Sequence, residues 1–405
     1  MTTRPWGVPG VLAAALLMAA APAWTQAPSI LRAGFDAAWA QQPEHQAAAL
    51  RREAAAAAVN ASQRWTPEPL SLEASAKTDR FHHNDGAREY DAALAVPLWW
   101  PGERARVQDA ASAEAAVVEA RLRAARWRLA AEVREAYWQW QRARIDHTLA
   151  TQRLDAARRL ADDVARRVRA GDLARADGHQ AESAVAAAQG GVADAAVALV
   201  STAAAWTALT GAPPVDGAPE ARPAASALDD HPVLRELAVR SDLVHRQHAL
   251  ASAQTRPNPE LVLGAVRERD ATGERYAQSV VVGLRVPLGT SAAAASRTAT
   301  AGADRVEADA QRAIEARRVR AQVDVALARV QALEAAWAAN DRRATLARES
   351  RGFVDKAFRL GEADLPTRLR FEHDAAEAES QAARSQVDVH AAISELRQAL
   401  GLLPE

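Results

Sequence analysis

The amino-acid sequence predicts a mainly α-helical chain that is internally duplicated and carries four short β-strands. Landmarks of the first half recur about 190 residues later, as in the turns at Gly171 and Gly361. Each half also contains a long proline-free segment, 102–170 or 291–360, and shorter segments with strand-like alternation. A repeat of this length is too long for a solenoid unit, so we expect two similar halves that build one object.

The composition is typical of long solvated helices. Residues of the hydrophobic class, mostly alanine, make up 49% of the chain, yet its mean hydropathy is only -0.25. With 50 basic and 51 acidic residues, the net charge of -1 offers no field that attracts nucleic acid. The chain has no cysteine, phosphate-binding loop, zinc-protease helix motif or Gly-x-Ser-x-Gly elbow. We therefore expect no enzyme activity, no cofactor and no metal site.

The N-terminus, residues 1–27, has the pattern of a secretory signal peptide. Arg4 precedes a short apolar stretch that ends near Ala21, and small residues follow at two candidate cleavage sites. The apolar stretch is shorter than the roughly 20 residues that a membrane-spanning helix needs. No later run of 18 apolar residues is free of charge, so we expect no transmembrane helix in the mature chain.

The first repeat, residues 28–211, begins with a predicted helix over 31–63 that Pro67 and Pro69 end. Two segments with a period of two, 70–77 and 89–96, then predict a β-hairpin. The 102–170 segment predicts a helix of about 100 Å, which reverses at Gly171 and returns to about Thr210. Its aromatic residues are interpreted as helix packing: Trp127, Tyr137, Trp138 and Trp140.

The second repeat, residues 229–405, follows a linker over 212–228 and replays this order. A helix over 231–255 precedes strands over 260–269 and 275–286. A second long helix over 291–360 turns at Gly361 and returns to Leu400. The first strand of this hairpin is apolar on both faces, so its orientation is the least certain assignment.

Four strands in an exported chain cannot form a closed β-barrel by themselves. An open sheet has unpaired edges, which a bilayer does not tolerate, and four strands are too few to close a barrel. Three copies would supply twelve strands, enough to leave a lumen. On this hypothesis one strand face contacts lipid, namely Leu70, Leu72, Leu94, Val96, Val282 and Leu284. The other face lines the lumen, with Ser71, Glu73, Ser75 and Lys77.

At this point the chain resembles the TolC family of outer-membrane efflux ducts. The resemblance is carried by the paired turns Arg169-Ala-Gly171-Asp-Leu and Phe358-Arg-Leu-Gly361-Glu-Ala-Asp364, together with the strand exits Val96-Pro97-Leu98 and Val286-Pro287-Leu288. It implies a homotrimer whose twelve-stranded barrel in the outer membrane continues into an α-helical periplasmic tunnel. It also implies docking to a periplasmic adaptor, or membrane fusion protein, and an inner-membrane efflux pump.

The resemblance further implies that the two turns form the periplasmic end of the tunnel, where the adaptor docks and the tunnel closes. The candidate residues are Arg169, Gly171, Asp172 and Asp177 in the first repeat and Arg359, Gly361, Glu362 and Asp364 in the second. Acidic residues here would form threefold rings that favour cations, and the arginines would hold a closed state. The same charges also fit ordinary helix caps and solvated turns.

Two functions from different classes remain open on the sequence alone. The first is a passive duct that exports small solutes, either heavy-metal cations or drugs. The strand exit Pro101-Gly102-Glu103-Arg104 is most similar to the heavy-metal branch of the family. The second is an exported soluble coiled-coil scaffold or periplasmic adaptor without a pore. The alternating strands at matching positions in both halves favour the duct.

Overall fold

The computed structural model describes residues 29–82, 84–224, 228–289 and 292–405. The predicted signal peptide lies outside these residues. The division into two repeats and a linker stays a prediction in its boundaries, although the order of elements repeats as expected.

The N-terminal segment forms two helices where the sequence predicted one. Helix α1 spans Ile30–Gln41 and helix α2 spans Pro43–Ser62. The prediction of one continuous helix was wrong because Pro43 has no N–H group to donate and its ring disfavours a helical residue before it. Gln42 is accordingly extended, and Pro43 occupies the start of α2, where a proline is well tolerated.

Both predicted hairpins are present, and they join into one sheet. Strands β1 and β2 span Ser71–Thr78 and Arg88–Pro97, and strands β3 and β4 span Glu260–Arg269 and Ala277–Arg285. The order is β1-β2-β3-β4, with every neighbouring pair antiparallel. Strands β1 and β4 therefore form the two edges of this sheet.

Two long helical hairpins leave the same end of the sheet. Helix α3 spans Glu103–Ala170 and packs along α4, Arg175–Thr210. After a short 3₁₀ turn at Leu228–Asp230 and helix α5, Pro232–Ala253, the pattern repeats with α6 and α7. Helix α6 spans Ala292–Leu360, and α7 spans Leu365–Ala399. Because α3 has 68 residues, it is about 100 Å long.

The largest apolar core surrounds the middle of α3. It joins α1, α3, α4 and α7 through Leu31, Phe35, Tyr137, Trp138, Trp140, Trp206, Val387 and Ala391. Trp127 lies beside this core and donates a 2.9 Å hydrogen bond from Nε1 to the carbonyl of Gln398. The interpretation of the α3 aromatic residues as helix packing is confirmed.

A buried ion cluster holds the segment between the two halves. Glu220 accepts hydrogen bonds from Arg134 on α3 at 2.8 and 2.9 Å, and Arg397 on α7 lies 3.2 Å from it. All three side chains are almost fully buried. Residues 212–228 were predicted to be a linker, and the Glu220 carboxylate fixes the described part of this segment between helices of both repeats.

One helix has the length and composition of a membrane-spanning helix, which was not expected from the sequence. Among the described residues, α4 alone is long and apolar enough to cross a membrane by length and composition, with a mean hydropathy of 1.6 over its most apolar window. It nevertheless packs against α3 as one arm of the hairpin.

Candidate functional site

The register of the sheet separates an apolar face from a polar face. Leu72 is paired with Leu94, Leu94 with Leu263, and Leu263 with Val282. A second row on the same face consists of Val96, Leu261 and Leu284. Five of the six predicted lipid-facing residues thus lie in strand pairs of one face, and Leu70 follows them by alternation. Their contact with lipid stays a prediction.

This apolar face is exposed in the single chain. Leu72 is 76% exposed and Val280 is 79% exposed, whereas Val96 is buried at the helical end of the sheet. The orientation of β3 is now assigned, because Leu261, Leu263 and Ala265 share the apolar face. Exposing so many adjacent aliphatic side chains to water is unfavourable, so this face requires a partner that is itself apolar.

The opposite face of the sheet is polar along β1 and at its outer end, and its middle carries small and aliphatic residues of β2, β3 and β4: Ala93, Ala95, Val262, Gly264, Val266, Val281 and Gly283. It carries the predicted lumen-facing residues Ser71, Glu73, Ser75 and Lys77. Ser75 donates a 2.9 Å hydrogen bond to Asp91, and Lys77 lies 3.3 Å from Glu89. Arg285 on β4 forms an ion pair with Glu260 at 3.1 Å. These side chains form hydrogen bonds and ion pairs along the strands while remaining accessible to water.

Two tryptophans mark the helical end of the sheet. Trp100 donates a 3.0 Å hydrogen bond from Nε1 to the carbonyl of Pro257, and Arg256 stacks over its ring at 3.9 Å. Trp99 donates from Nε1 to the carbonyl of Arg64. Tryptophans with a polar contact on one edge and an apolar ring are typical of membrane interfaces.

The far ends of the helical hairpins turn in the same way in both repeats. Gly171 and Gly361 adopt positive φ values of 88° and 81°, which suits glycine because it has no Cβ. Asp177 accepts a 3.0 Å hydrogen bond from the N–H of Ala174, and Asp364 accepts one from the N–H of Thr367. The Thr367 side chain, and to a smaller extent the Thr367 N–H, form hydrogen bonds with the Asp364 carboxyl. These hydrogen bonds hold the pKa of that carboxyl below its usual range.

The other predicted tip residues divide by their contacts. Arg359 pairs with Asp355 within its own helix at 2.8 Å. Arg169, Asp172 and Glu362 are exposed at the ends of the hairpins. Asp177 and Asp364 thus serve as local caps, whereas Asp172 and Glu362 present their carboxylates to solvent. A role in docking or gating stays a prediction for all eight residues.

Sequence analysis missed the contact that joins the two tips. Phe358 on α6 is buried between Arg167 of α3 and Arg368 of α7, whose guanidinium carbons lie 4.7 and 4.9 Å from the ring centroid. Arg368 also pairs with Asp355, and Asp163 lies 3.3 Å from Arg167. The only sequence signal was an aromatic residue three positions before Gly361, too little to predict its partners.

Part of the chain matches a family model of outer-membrane efflux proteins. Residues 35–212 match the model described as outer membrane efflux protein. Together with the structural comparisons, this match confirms the resemblance to the TolC family. This likeness is consistent with the predicted outer-membrane location and with the expectation of a channel rather than an enzyme, and the role of this chain stays a proposal. The search of curated proteins found no significant match.

Solved structures of such channels share this fold over nearly the full chain. VceC from Vibrio cholerae is 18% identical with a TM-score of 0.75, over 93% of this chain and 97% of VceC. CusC is 15% identical with a TM-score of 0.77, over 92% of each chain. MtrE from Neisseria gonorrhoeae, solved in an open state, is 18% identical with a TM-score of 0.70, over 93% of this chain and 89% of MtrE.

Proposed function

We propose that this protein is the passive outer-membrane duct of a tripartite efflux system. Three copies close one twelve-stranded barrel, and their helical hairpins form a tunnel that extends into the periplasm. The observation that carries this proposal is the four-stranded sheet with one exposed apolar face, an opposite face that carries the polar residues of β1, and two open edges.

The two edges require that further chains close the sheet. Strands β1 and β4 each leave a row of backbone N–H and C=O groups without a strand partner in this sheet. In a bilayer such groups must be paired, which only closure of the sheet achieves. Edge β4 of one copy would pair with β1 of the next, so that three copies place Ser71, Glu73, Ser75 and Lys77 around a wet lumen.

The tips would dock the periplasmic adaptor and close the tunnel. Arg169, Gly171, Asp172, Asp177, Arg359, Gly361, Glu362 and Asp364 all lie at the end of the hairpins farthest from the sheet. Asp172 and Glu362 best suit threefold acidic rings, because neither carboxylate caps a helix among the described contacts. Such rings would favour cations over anions at the periplasmic entrance.

The cargo would be small solutes delivered by an inner-membrane pump through the adaptor. Heavy-metal cations and drugs are both compatible with a wide polar lumen, since a passive duct leaves selection to the pump. The strand exit at residues 101–104 supports the heavy-metal class.

Reconstitution in a planar bilayer tests the proposal. The full mature chain, purified from outer membranes, is expected to migrate as a heat-modifiable trimer and to form pores of uniform conductance. A soluble monomer without conductance would overturn the proposal and support a coiled-coil scaffold instead.

A further inference from the structure

The apolar face of the sheet changes character at its outer end, the end that carries the loops 79–87 and 270–276. Its aliphatic rows stop after Ala92 and Ala265. The next row pairs Tyr90 with Arg267, and the last pairs Arg88 with Arg269. Three arginines and a tyrosine thus follow the aliphatic band directly on the same face.

The strand pleat places the acidic residues of β2 and β3 at this end on the face opposite these arginines. Glu89, Asp91 and Glu268 occupy the positions between these residues, so they project to the polar face. Of the three arginines, Arg88 has its carboxylate partner, Asp79, in the adjacent loop. Among the described residues, Arg267 and Arg269 have no carboxylate within ion-pair distance, although acids flank both in sequence.

Tyr276 arranges these two arginines. The guanidinium carbon of Arg267 lies 4.4 Å from the Tyr276 ring centroid, and that of Arg269 lies 5.1 Å from it. Arg269 donates a 3.0 Å hydrogen bond from Nε to the carbonyl of Gly86, which leaves its two Nη groups for another acceptor. Because the two residues are neighbours on one strand face, about 7 Å apart, both reach the same anionic group.

We propose that Arg267 and Arg269, held by Tyr276, bind a phosphate group of a phosphorylated glycolipid in the outer leaflet of the outer membrane. This inference rests on the proposed function, because it requires the apolar face to contact lipid. A guanidinium group binds phosphate through paired N–H donors. Two adjacent cations at the edge of an apolar band are stabilised by an anion located at that depth, which a lipid head group supplies.

The test measures lipid binding to the purified full-length trimer by native mass spectrometry. The probe is diphosphorylated lipid A, compared with the same lipid after removal of its phosphates and with inorganic phosphate alone. The test variant is Arg267→Gln/Arg269→Gln. The control is Arg285→Gln, which removes one arginine from the opposite face of the same hairpin and is compared with the single variant Arg267→Gln. The single variant Arg267→Gln is included because it should fold normally: the Arg267 side chain forms no hydrogen bond with a described residue.

We expect the double variant to weaken binding of diphosphorylated lipid A about 30-fold and the single variant about 5-fold. The control variant should bind diphosphorylated lipid A as tightly as the wild type does. The dephosphorylated lipid should bind the wild type and the double variant with the same affinity. Equal binding by wild type and double variant, or equal binding of free phosphate and lipid, would overturn the inference. The conductance of the same preparations separates the two claims: a conducting trimer without this lipid preference contradicts only the inference.

Discussion

Arg167 and Phe358 come from different repeats and meet at the end of the helical hairpins. The guanidinium carbon of Arg167 lies 4.7 Å from the Phe358 ring centroid, and an Nη atom donates a 3.1 Å hydrogen bond to the Phe358 carbonyl. Arg368 covers the same ring from α7. One aromatic side chain therefore holds both hairpins of a protomer together where we propose that the tunnel closes.

Replacing Phe358 with alanine should loosen the tip. The substitution removes a fully buried ring on which two cations pack, and a buried Phe→Ala change typically costs about 3–5 kcal/mol. We expect a more frequently open channel in planar bilayer recordings, with the barrel and trimer unchanged. Phe353→Ala is the matched control because Phe353, on the same helix, is 74% exposed. Unchanged gating in Phe358→Ala would show that this contact does not hold the closed state.

Replacing Glu220 with alanine should destabilise the protein strongly. Arg134 would remain buried without its carboxylate and Arg397 would keep only the exposed Glu405, and breaking a buried ion pair costs about 3–5 kcal/mol. Chemical denaturation followed by tryptophan fluorescence measures the loss. Arg222→Ala, which removes an exposed pair with Glu334, should cost less than about 1 kcal/mol. Similar losses in the two variants would contradict the assigned role of the cluster.

Acidification should weaken the folded chain through one buried histidine, His231, and one half-buried histidine, His390. Burial lowers the pKa of His231 and of His390 below the ordinary value of 6.5. The unfolded chain therefore binds more protons than the folded chain below about pH 6.5, so stability is highest above that value and falls as the pH decreases. Denaturation between about pH 7.5 and 5.5 tests this. His231→Asn/His390→Asn should flatten the slope, whereas the exposed His179→Asn should leave it unchanged.

Neutralising the exposed acids at the tip should reduce the preference for cations. Asp172→Asn/Glu362→Gln removes two carboxylates per chain, hence six per trimer on the proposed architecture. We expect a lower cation-to-anion permeability ratio from reversal potentials in a salt gradient. Asp155→Asn/Glu349→Gln removes the same charge from exposed positions farther along the hairpins. A ratio that falls equally in both variants would place the selectivity elsewhere.

Much of this architecture follows from local sequence patterns. The alternation in 70–77 predicted the apolar and polar faces because a strand turns its side chains by a fixed period of two. The glycine turns predicted both hairpin ends, since their positive φ is unfavourable for other residues. The break at Pro43 was missed because the apolar spacing continues across it.

Contacts between distant segments could not be predicted in this way. The pairing of Arg134 with Glu220, or of Arg167 with Phe358, depends on how the two repeats pack together. A single sequence does not distinguish a buried arginine from an exposed one. It also does not distinguish a glutamate that forms a buried ion pair from a glutamate in a solvated linker. The docking and gating roles of the tip residues belong to the same class, because they depend on other chains.

Cysteine cross-linking between the edge strands tests the closure of three chains into one barrel most directly. The native chain has no cysteine, so Ser71→Cys or Ser75→Cys on β1 combined with Ser279→Cys on β4 introduces the only thiols. Two β1 positions are used because barrel closure staggers the strands. Oxidation in outer membranes should give covalent dimers and trimers and no larger species for at least one pair. Only monomers for both pairs, in protein that folds and exports normally, would contradict the account.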